Sequence, residues 1–372
     1  MSRPIYQIVA DGNAITDAIA DRLLELSITD EAGIESDALS MKLDDRPRSD
    51  GAQAEMPMPG TQLEVHLSYL GEEWVSMGLY IVDEIELSSP PATLSLTAKA
   101  ADMTGEFRTQ TTRSWHETAL GEIITGIAGK HGYTPRIDPE LAAVQIPHID
   151  QGAESDMSFL TRLSKQYDAV AKPIAGALVF ARRGMAKSVS GEDLPVVELR
   201  LDQLTSWRFK SNARMSAGVS TGFGGIKTIL GGLLGDVFGV DLGGESGASS
   251  EEEDAPKGGT RAYWWDFETG ERKEVTTGAE PFEDLRQVYS SEEEAKAAAG
   301  TNTNEGTRQE ARLSFTLPGD PRLAAEGRVS LTLRDQIPTD WRITRAEHRI
   351  SARGWTTSCE CEMFSEEQDA VV

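Results

Sequence analysis

From Arg22 to about Ala100 apolar and polar residues alternate in short runs: "LLELSITD", "ALSMKLDD", "QLEVHLSYLG", "WVSMGLYIVDEIELSS" and "ATLSLTAKA", each bounded by Gly, Pro or Asp. A period of two predicts antiparallel strands with one buried and one wetted face, so this region reads as a small barrel or sandwich. The period then changes. In "WHETALGEIITGIAGKHGYTP", Leu120, Ile123, Ile124 and Ile127 recur at i, i+3, i+4 and i+7, and Gly132 follows where a helix C-cap glycine belongs. A second helix is predicted within "QGAESDMSFLTRLSKQYDAV", residues 151–170. Ser155 is its N-cap, Asp156 answers its positive end, and Phe159, Leu160, Leu163 and Tyr167 form its apolar stripe. "AVAKPIAGALVFARRG" predicts a hairpin turning at Gly176, and from "PVVELRLDQLTSWRFKSNA" onward strands return.

A repeat is visible across this pattern. Gly60 precedes "TQLEVHLSYL", a loop with Trp74, "GLYIVDEIELSS", a Pro-rich turn and "ATLSLTAKA". Gly327 precedes "RVSLTLRD", a loop ending in Trp341, "WRITRAEHRIS", a Gly-containing turn and "WTTSCECE". Order and lengths match although identity is sparse. The expected fold class is α+β, mainly β: two similar antiparallel β-barrel or sandwich domains with an α+β domain between them. The expected boundaries are 1–104 for the first β-domain, 105–195 for the α+β domain, 196–216 with 259–366 for the second β-domain, and 367–372 for a tail.

Residues 217–258 fit neither copy. Gly231, Gly235, Gly239 and Gly243 recur every four positions beside a stripe of Ile226, Leu230, Leu233 and Val237. On a helix the glycines make a bare ridge that permits close approach, yet each costs about 0.8–1 kcal/mol relative to alanine. The segment reads either as a surface insertion ending in the acidic linker "SSEEEDAPKGG", or as one ordered only by packing on copies of itself or on a partner. Lys227, Asp236 and Asp241 make it a poor membrane span.

Charge and chemistry narrow the functional classes. A formal net charge of −25 over 372 residues opposes any role in gripping nucleic-acid phosphates. The opening residues have no apolar core of a secretory signal and no uninterrupted apolar run reaches membrane-spanning length, so a soluble protein made in a cytoplasm is expected. Cys359 and Cys361 fall on one face of a predicted strand, either as buried thiols or as ligands of a metal shared across an oligomer axis. Glu154 and Asp156 could be paired as acid and base of a hydrolase, but carboxylates are also favoured at a helix start for the exposed N–H groups alone. No H-E-x-x-H, G-x-S-x-G, P-loop or dinucleotide fingerprint occurs. No cofactor and no catalytic residue is expected.

Two motifs carry a resemblance. Gln151, Glu154, Ser155, Asp156, Phe159, Leu160, Arg162 and Leu163 resemble the Q-x-x-E-S-D-x-x-F-L-x-R-L signature of the late control D family, the baseplate hubs of contractile phage tails. That signature is similar to one in the VgrG spike proteins of type VI secretion. Gly319, Asp320, Pro321 and Leu323 in "LPGDPRLAAEG", with Trp341, Ile343 and His348 in "WRITRAEHRIS", resemble the family's G-D-P-x-L-x-x-G and W-x-I-x-x-V-x-H segments. Between them, "RAYWWDFETGERKEV" resembles a W-x-D-x-x-T-G hairpin and "YSSEEEAKAAAG" an S-x-x-E-A-x-A helix, the latter expected to be interrupted by "GTNTNEG".

The resemblance implies a structural, non-enzymatic hub: a homotrimer whose two β-domains per chain form a pseudo-sixfold ring between a sixfold tail tube and a threefold central spike. Implied partners are the chain itself, a spike protein, a tube protein, a tape-measure protein and other baseplate proteins. DNA would pass without specific binding, its phosphates repelled by an acidic lumen. On this reading the 151–163 signature is scaffold, the 217–258 insertion contacts the lumen or a partner, and the protein ends in a virion tail. The chain ends at Val372 with no spike segment of its own, so a separate spike protein is expected. A type VI or related injection-machine hub and a baseplate-borne cell-wall hydrolase using Glu154 and Asp156 are the alternatives.

Overall fold

The computed structural model describes residues 3–33, 36–47, 57–100, 107, 109–174, 176–183, 195–211, 259–267, 269–309 and 311–364. The glycine-rich segment, with Ile226, Leu230, Gly231, Leu233, Gly235, Val237, Gly239 and Gly243, lies outside the described residues, as does the tail 367–372. The chain divides into two compact units, the first Met1–Arg208, Leu313–Ser330 and Trp341–Cys361, the second Phe209–Arg312, Leu331–Asp340 and Glu362–Val372.

The fold is α+β and mainly β, built on one large sheet of 13 strands. Its N-terminal strands are β1 (Pro4–Ala10), β2 (Asn13–Ala14), β3 (Leu23–Glu31), β4 (Ala38–Asp44), β5 (Gln62–Tyr69), β6 (Val75–Ser88) and β7 (Thr93–Ala100), with a one-turn helix α1 (Thr16–Ile19). The period-two pattern explains them: Leu39, Met41 and Leu43 of β4 are buried while Ser40 and Lys42 between them are exposed, and Leu63, Val65 and Leu67 of β5 follow suit. Together with Leu26, Ile28, Leu94, Leu96 and Ala98 they form one continuous apolar cluster. Burying such side chains contributes about 1.5–3 kcal/mol each.

The C-terminal strands of the same sheet are β13 (Val196–Leu199), β14 (Ser206–Ser211), β18 (Ala311–Pro318), β19 (Arg328–Leu331), β20 (Asp340–Ser351) and β21 (Gly354–Met363). The spatial order in the N-terminal set is β3-β4-β7-β6-β5-β1, and in the C-terminal set β14-β18-β21-β20-β19-β13. Taken in chain order, the two sets place their first to sixth strands identically. The sets join where β20 pairs antiparallel with β3, Arg345 facing Glu31 and Ser351 facing Glu25.

Residues 110–182 fold between the two sets. Antiparallel β8 (Gln110–Ala119) and β10 (Gln145–Ser155) form one ribbon, and β11 (Ala169–Ile174), β12 (Ala177–Arg182) and β9 (Thr134–Ile137) form a small sheet. Helix α2 (Leu120–Lys130) buries Leu120, Ile123, Ile124 and Ile127 as its spacing predicts, and Gly132 takes φ +75° just past its end. A one-turn helix α3 (Pro139–Ala142) is capped by Asp138. Helix α4 (Asp156–Gln166) is capped by Ser155, whose Oγ accepts from the Ser158 N–H at 3.1 Å, and it buries Phe159, Leu160 and Leu163. The β11–β12 hairpin turns at Gly176 with φ +77°.

Residues 259–309, grouped on sequence with the second β-domain, add no strand to the large sheet among the described residues. They form their own layer in the second unit: β15 (Gly259–Asp266) lies between antiparallel β16 (Glu271–Gly278) and parallel β17 (Phe282–Tyr289). Helix α5 (Glu292–Gln309) packs Ala295 and Ala299 against Ala262, Trp264, Val275 and Tyr289. The expected interruption at "GTNTNEG" is corrected, because α5 runs through it. Within that stretch the Thr301, Thr303 and Thr307 hydroxyls donate to carbonyls four residues back, which does not itself favour a helix. Asn302 and Thr303 also hydrogen-bond the Thr260 hydroxyl on β15 at 3.0 Å, so docking overrides propensity. Among the described residues no helix is long and apolar enough to cross a membrane.

Candidate assembly site

The 151–163 signature is a buried charge cluster. Strand β10 bulges between Gln151 and Glu154, with Ala153 at φ +48°, and runs straight into α4. That geometry turns Gln151 and Asp156 inward, both fully buried, and leaves Glu154 outside. Asp156 stands in the first turn of α4, as its sequence position predicts, and is buried there with partners from other elements. Its carboxylate bonds the Arg113 guanidinium, Lys130 Nζ at 2.8 Å, His131 Nε2 at 2.8 Å and Gln151 Nε2 at 3.0 Å. Gln151 also accepts from Arg113 Nε at 3.1 Å and donates to the Glu154 carbonyl at 2.8 Å. Burial alone would raise the carboxyl's pKa, but the donors from Lys130, Gln151 and His131 and the charge of Arg113 outweigh it and hold Asp156 at about 2.

Around this cluster the rest of the motif is packing. Trp115 stacks parallel on Phe159 with centroids 4.9 Å apart, and the Arg162 guanidinium lies over the Phe159 ring, 4.9 Å from its centroid. Arg162 also pairs with Glu154 at 3.0 Å and donates to the Asp150 carbonyl at 2.7 Å. A hydrolase needs one carboxyl that can donate a proton and a second that water can reach. Asp156 is sealed and ionised, and Glu154 is committed to Arg162, so the pair does neither.

The second motif locks the join between the two strand sets. Gly319 lies flat against the Trp355 indole: a Cβ there would stand 2.1 Å from it. The Gly319 N–H donates to the Trp355 carbonyl at 2.9 Å, and its own carbonyl accepts the Tyr69 hydroxyl of β5 at 2.9 Å. Asp320 contributes its N–H to Thr357 Oγ1 at 2.9 Å, while its carboxylate, burial notwithstanding, is held low by Arg322. His348 is buried between Thr357 Oγ1 and the Leu323 carbonyl, each 3.0 Å away. The carbonyl only accepts, so Nε2 carries the proton, and burial lowers the ring's pKa and keeps it neutral. Leu323, Trp341 and Ile343 are buried beside it and Pro321 is half-buried.

A third cluster went unread in sequence. Lys172, the one charged residue in the apolar run "AVAKPI", reaches Asp37 at 2.6 Å, Asp30 at 3.3 Å and the Glu31 carbonyl at 2.8 Å. Asp30 in turn accepts from the Ala325 N–H at 2.8 Å, Glu326 from the Gly33 N–H at 3.1 Å, and Arg342 closes on Glu326 at 2.5 Å. A lone lysine inside a hydrophobic strand was the available signal. Burial and the neighbouring Asp30 charge push Asp37 up to about 6 despite Lys172. The native state then holds a proton that the unfolded chain releases near pH 4. Stability contributed here falls as pH rises from about 4 to about 6. Chemical denaturation across that range should show a decline for the wild type and a flatter profile for Asp37→Asn.

Cys359 and Cys361 are both buried on β21, and burial pushes the Cys359 thiol up to about 12. A thiol held protonated is a poor metal ligand. Among the described residues no group of three or more His, Cys, Asp or Glu is placed to hold a metal.

With this geometry in place, comparison with known proteins decides the family. The family described as phage tail baseplate hub (GPD) matches residues 33–223. The chain belongs to that family. It is 36% identical over 196 residues to the probable baseplate hub protein of Escherichia phage P2, covering 53% of this chain and 50% of that one. It thus spans about half the length of the curated relative. Among solved structures it is similar to the 43 kDa tail protein of prophage MuSo2 from Shewanella oneidensis, with TM-score 0.63, 13% identity and coverage of 96% and 98% of the two chains. It is also similar in fold to an E. coli component of the type VI secretion system, with TM-score 0.52, 9% identity and coverage of 93% and 74%. The family match spans the Asp156 cluster and Lys172.

Proposed function

We propose that this baseplate hub protein assembles as a homotrimer that joins a sixfold tail tube to a threefold central spike, in a contractile phage tail or a phage-derived bacteriocin. The observation that carries the reading is the pair of six-strand sets with identical spatial order. One chain that presents the same β-domain twice supplies six similar positions from three copies, while everything outside the repeat occurs three times. The proposed domains are the two β tube domains, the α+β domain 105–195 between them, and the insertion 217–258. The partners proposed for the ring are a separate spike protein, a tube protein, a tape-measure protein and other baseplate proteins, with the virion tail as its location.

The acidic net charge of −25 per chain supports a lumen wall that repels passing DNA. Family membership supports the phage reading over a type VI hub. The glycine-rich insertion is proposed to contact the lumen or the tape-measure protein. Deleting 219–256 should impair assembly or infectivity; normal trimers, assembly and infectivity would refute that role.

Light scattering of the purified chain, alone and with its candidate spike, tests the trimer. A trimer alone, or a 3:3 complex formed on adding the spike, is expected. A chain that stays monomeric with the spike present would overturn the ring.

A further inference from the structure

The β8–β10 ribbon carries on its solvent side a pair of histidines that the Asp156 cluster does not use. His116 and His148 are 32 positions apart in the chain, and the antiparallel register sets them directly opposite each other. Their rings stack with centroids 4.5 Å apart, and the two Nδ1 atoms stand 3.0 Å from each other. At the other nitrogen of the His148 ring, Nε2 lies 3.2 Å from Asp150 Oδ2. Asp150 is held in turn by a side-chain hydrogen bond with Ser114, its cross-strand neighbour. All four residues are exposed, His148 and Asp150 with 51% and 61% of their side chains open to solvent. The chain has five histidines in all, and the other three are unlike this pair. His131 and His348 are buried, and His66 is half-buried beside Glu64.

Asp150 decides the tautomer. A carboxylate only accepts, so His148 carries its proton on Nε2 and turns a bare Nδ1 toward His116. His116 fills that lone pair by donating from its own Nδ1. Moving this proton to its Nε2 gives the other neutral tautomer and leaves two bare nitrogens side by side. Two imidazole nitrogens bound to one ion at about 2.0–2.1 Å stand about 2.9 Å apart when they meet it at a right angle. The Nδ1 pair is already at 3.0 Å, and a turn of each exposed ring aims both lone pairs at one point. A ligating histidine whose second ring N–H is held by a carboxylate keeps its tautomer and orientation and gains basicity. Asp150, steadied by Ser114, provides that for His148.

We propose that His116 and His148 bind a divalent transition-metal ion of the copper, nickel or zinc type through their Nδ1 atoms, with Asp150 as the residue that positions His148. A right-angled pair of nitrogens with water in the remaining positions suits a tetragonal ion, and affinity at such sites rises toward copper. Two protein ligands are fewer than a closed structural or a catalytic centre uses, and no larger ligand group is present among the described residues. The site is therefore an exchangeable clamp across two strands. An ion held between β8 and β10 fixes their register, and three positions along that register Gln151 faces Arg113, the pair that meets Asp156. The clamp thus ties together the strands that carry the buried cluster. It lies wholly within the first unit, so it does not depend on how copies of the chain assemble.

Metal titration of the full-length chain, free of any histidine tag, tests the site. Calorimetry with cupric ion should show one ion bound per chain at micromolar concentration, and the electron paramagnetic resonance spectrum of that complex should show coupling to two imidazole nitrogens. His116→Ala and His148→Ala should each weaken binding at least tenfold and remove one coupled nitrogen. Asp150→Asn should weaken it about tenfold while keeping both nitrogens, as a positioning residue would. Zinc should raise the thermal midpoint of the wild type, a chelator should reverse the rise, and the double variant His116→Ala with His148→Ala should show none. The substituted side chains are exposed, so the metal-free midpoints should match the wild type and keep the comparison valid. Wild-type binding no tighter than that of the double variant, or a wild-type spectrum with fewer than two coupled nitrogens, would overturn the site and leave a stacked surface pair. An equal zinc effect in wild type and double variant would overturn the clamp.

Discussion

Asp156→Ala is expected to destabilise the chain by about 3–5 kcal/mol, the cost of breaking a buried ion pair and leaving its partners uncompensated. The substitution removes the acceptor shared by Arg113, Lys130 and His131 and leaves Arg113 its bond to Gln151. The Arg113 and Lys130 cations that the carboxylate held together then repel one another. Urea denaturation of the variant measures the loss directly. Combining it with Arg113→Met should recover part of the stability, because the two residues share one network and their effects do not add. The same carboxylate gives the wild type an acid limb: with Asp156 held at about 2, its stabilisation is complete above the unfolded carboxyl's pKa of about 4 and is lost as pH falls toward 2. An Asp156 variant with an unchanged urea midpoint and acid limb would remove the cluster's claim to hold this scaffold.

Gly319→Ala is the second large effect. The new methyl would stand 2.1 Å from the Trp355 indole, inside any van der Waals distance, so either the ring or the Gly319 strand has to move. Both are committed, the ring by tilted contact with Tyr69 at 5.1 Å and the strand by bonds to Tyr69 and to the Trp355 backbone. A loss of about 3 kcal/mol is expected, at the upper end of the cost of overpacking. In a Trp355→Leu background the same glycine substitution should cost much less. Equal costs in the two backgrounds would show that the glycine answers to something other than the indole.

What could be read in the sequence was what neighbouring residues decide. The α2 stripe of Leu120, Ile123, Ile124 and Ile127, the Ser155 cap and the Gly176 turn depend on spacing within a few residues, and each stands as expected. The repeat was legible for the same reason, as a recurring order of runs. Asp156 was read at its helix start but without its partners, because Arg113, Lys130 and His131 lie 43, 26 and 25 positions upstream, where no local rule reaches. Helix α5 was cut short because the propensity of "GTNTNEG" was weighed without Thr260, the residue onto which it docks. Within the 319–348 motif the residues were found but not their work: Gly319 and His348 were named, while Tyr69, Trp355 and Thr357, which give them their purpose, come from other strands.

The pairing of β3 with β20 also sets a timetable for the chain during its synthesis. Ser27 and Glu347, which hydrogen-bond across that pairing, are 320 positions apart. The acidic border strand leaves the ribosome early and waits, uncovered, until nearly the whole polypeptide has followed it. Contacts of such separation form late and slowly, and an uncovered border is the part of an unfinished protein most exposed to wrong company. Glu25 and Glu31 on that strand meet Arg349 and Arg345 of β20 only after this long stretch of chain has been made.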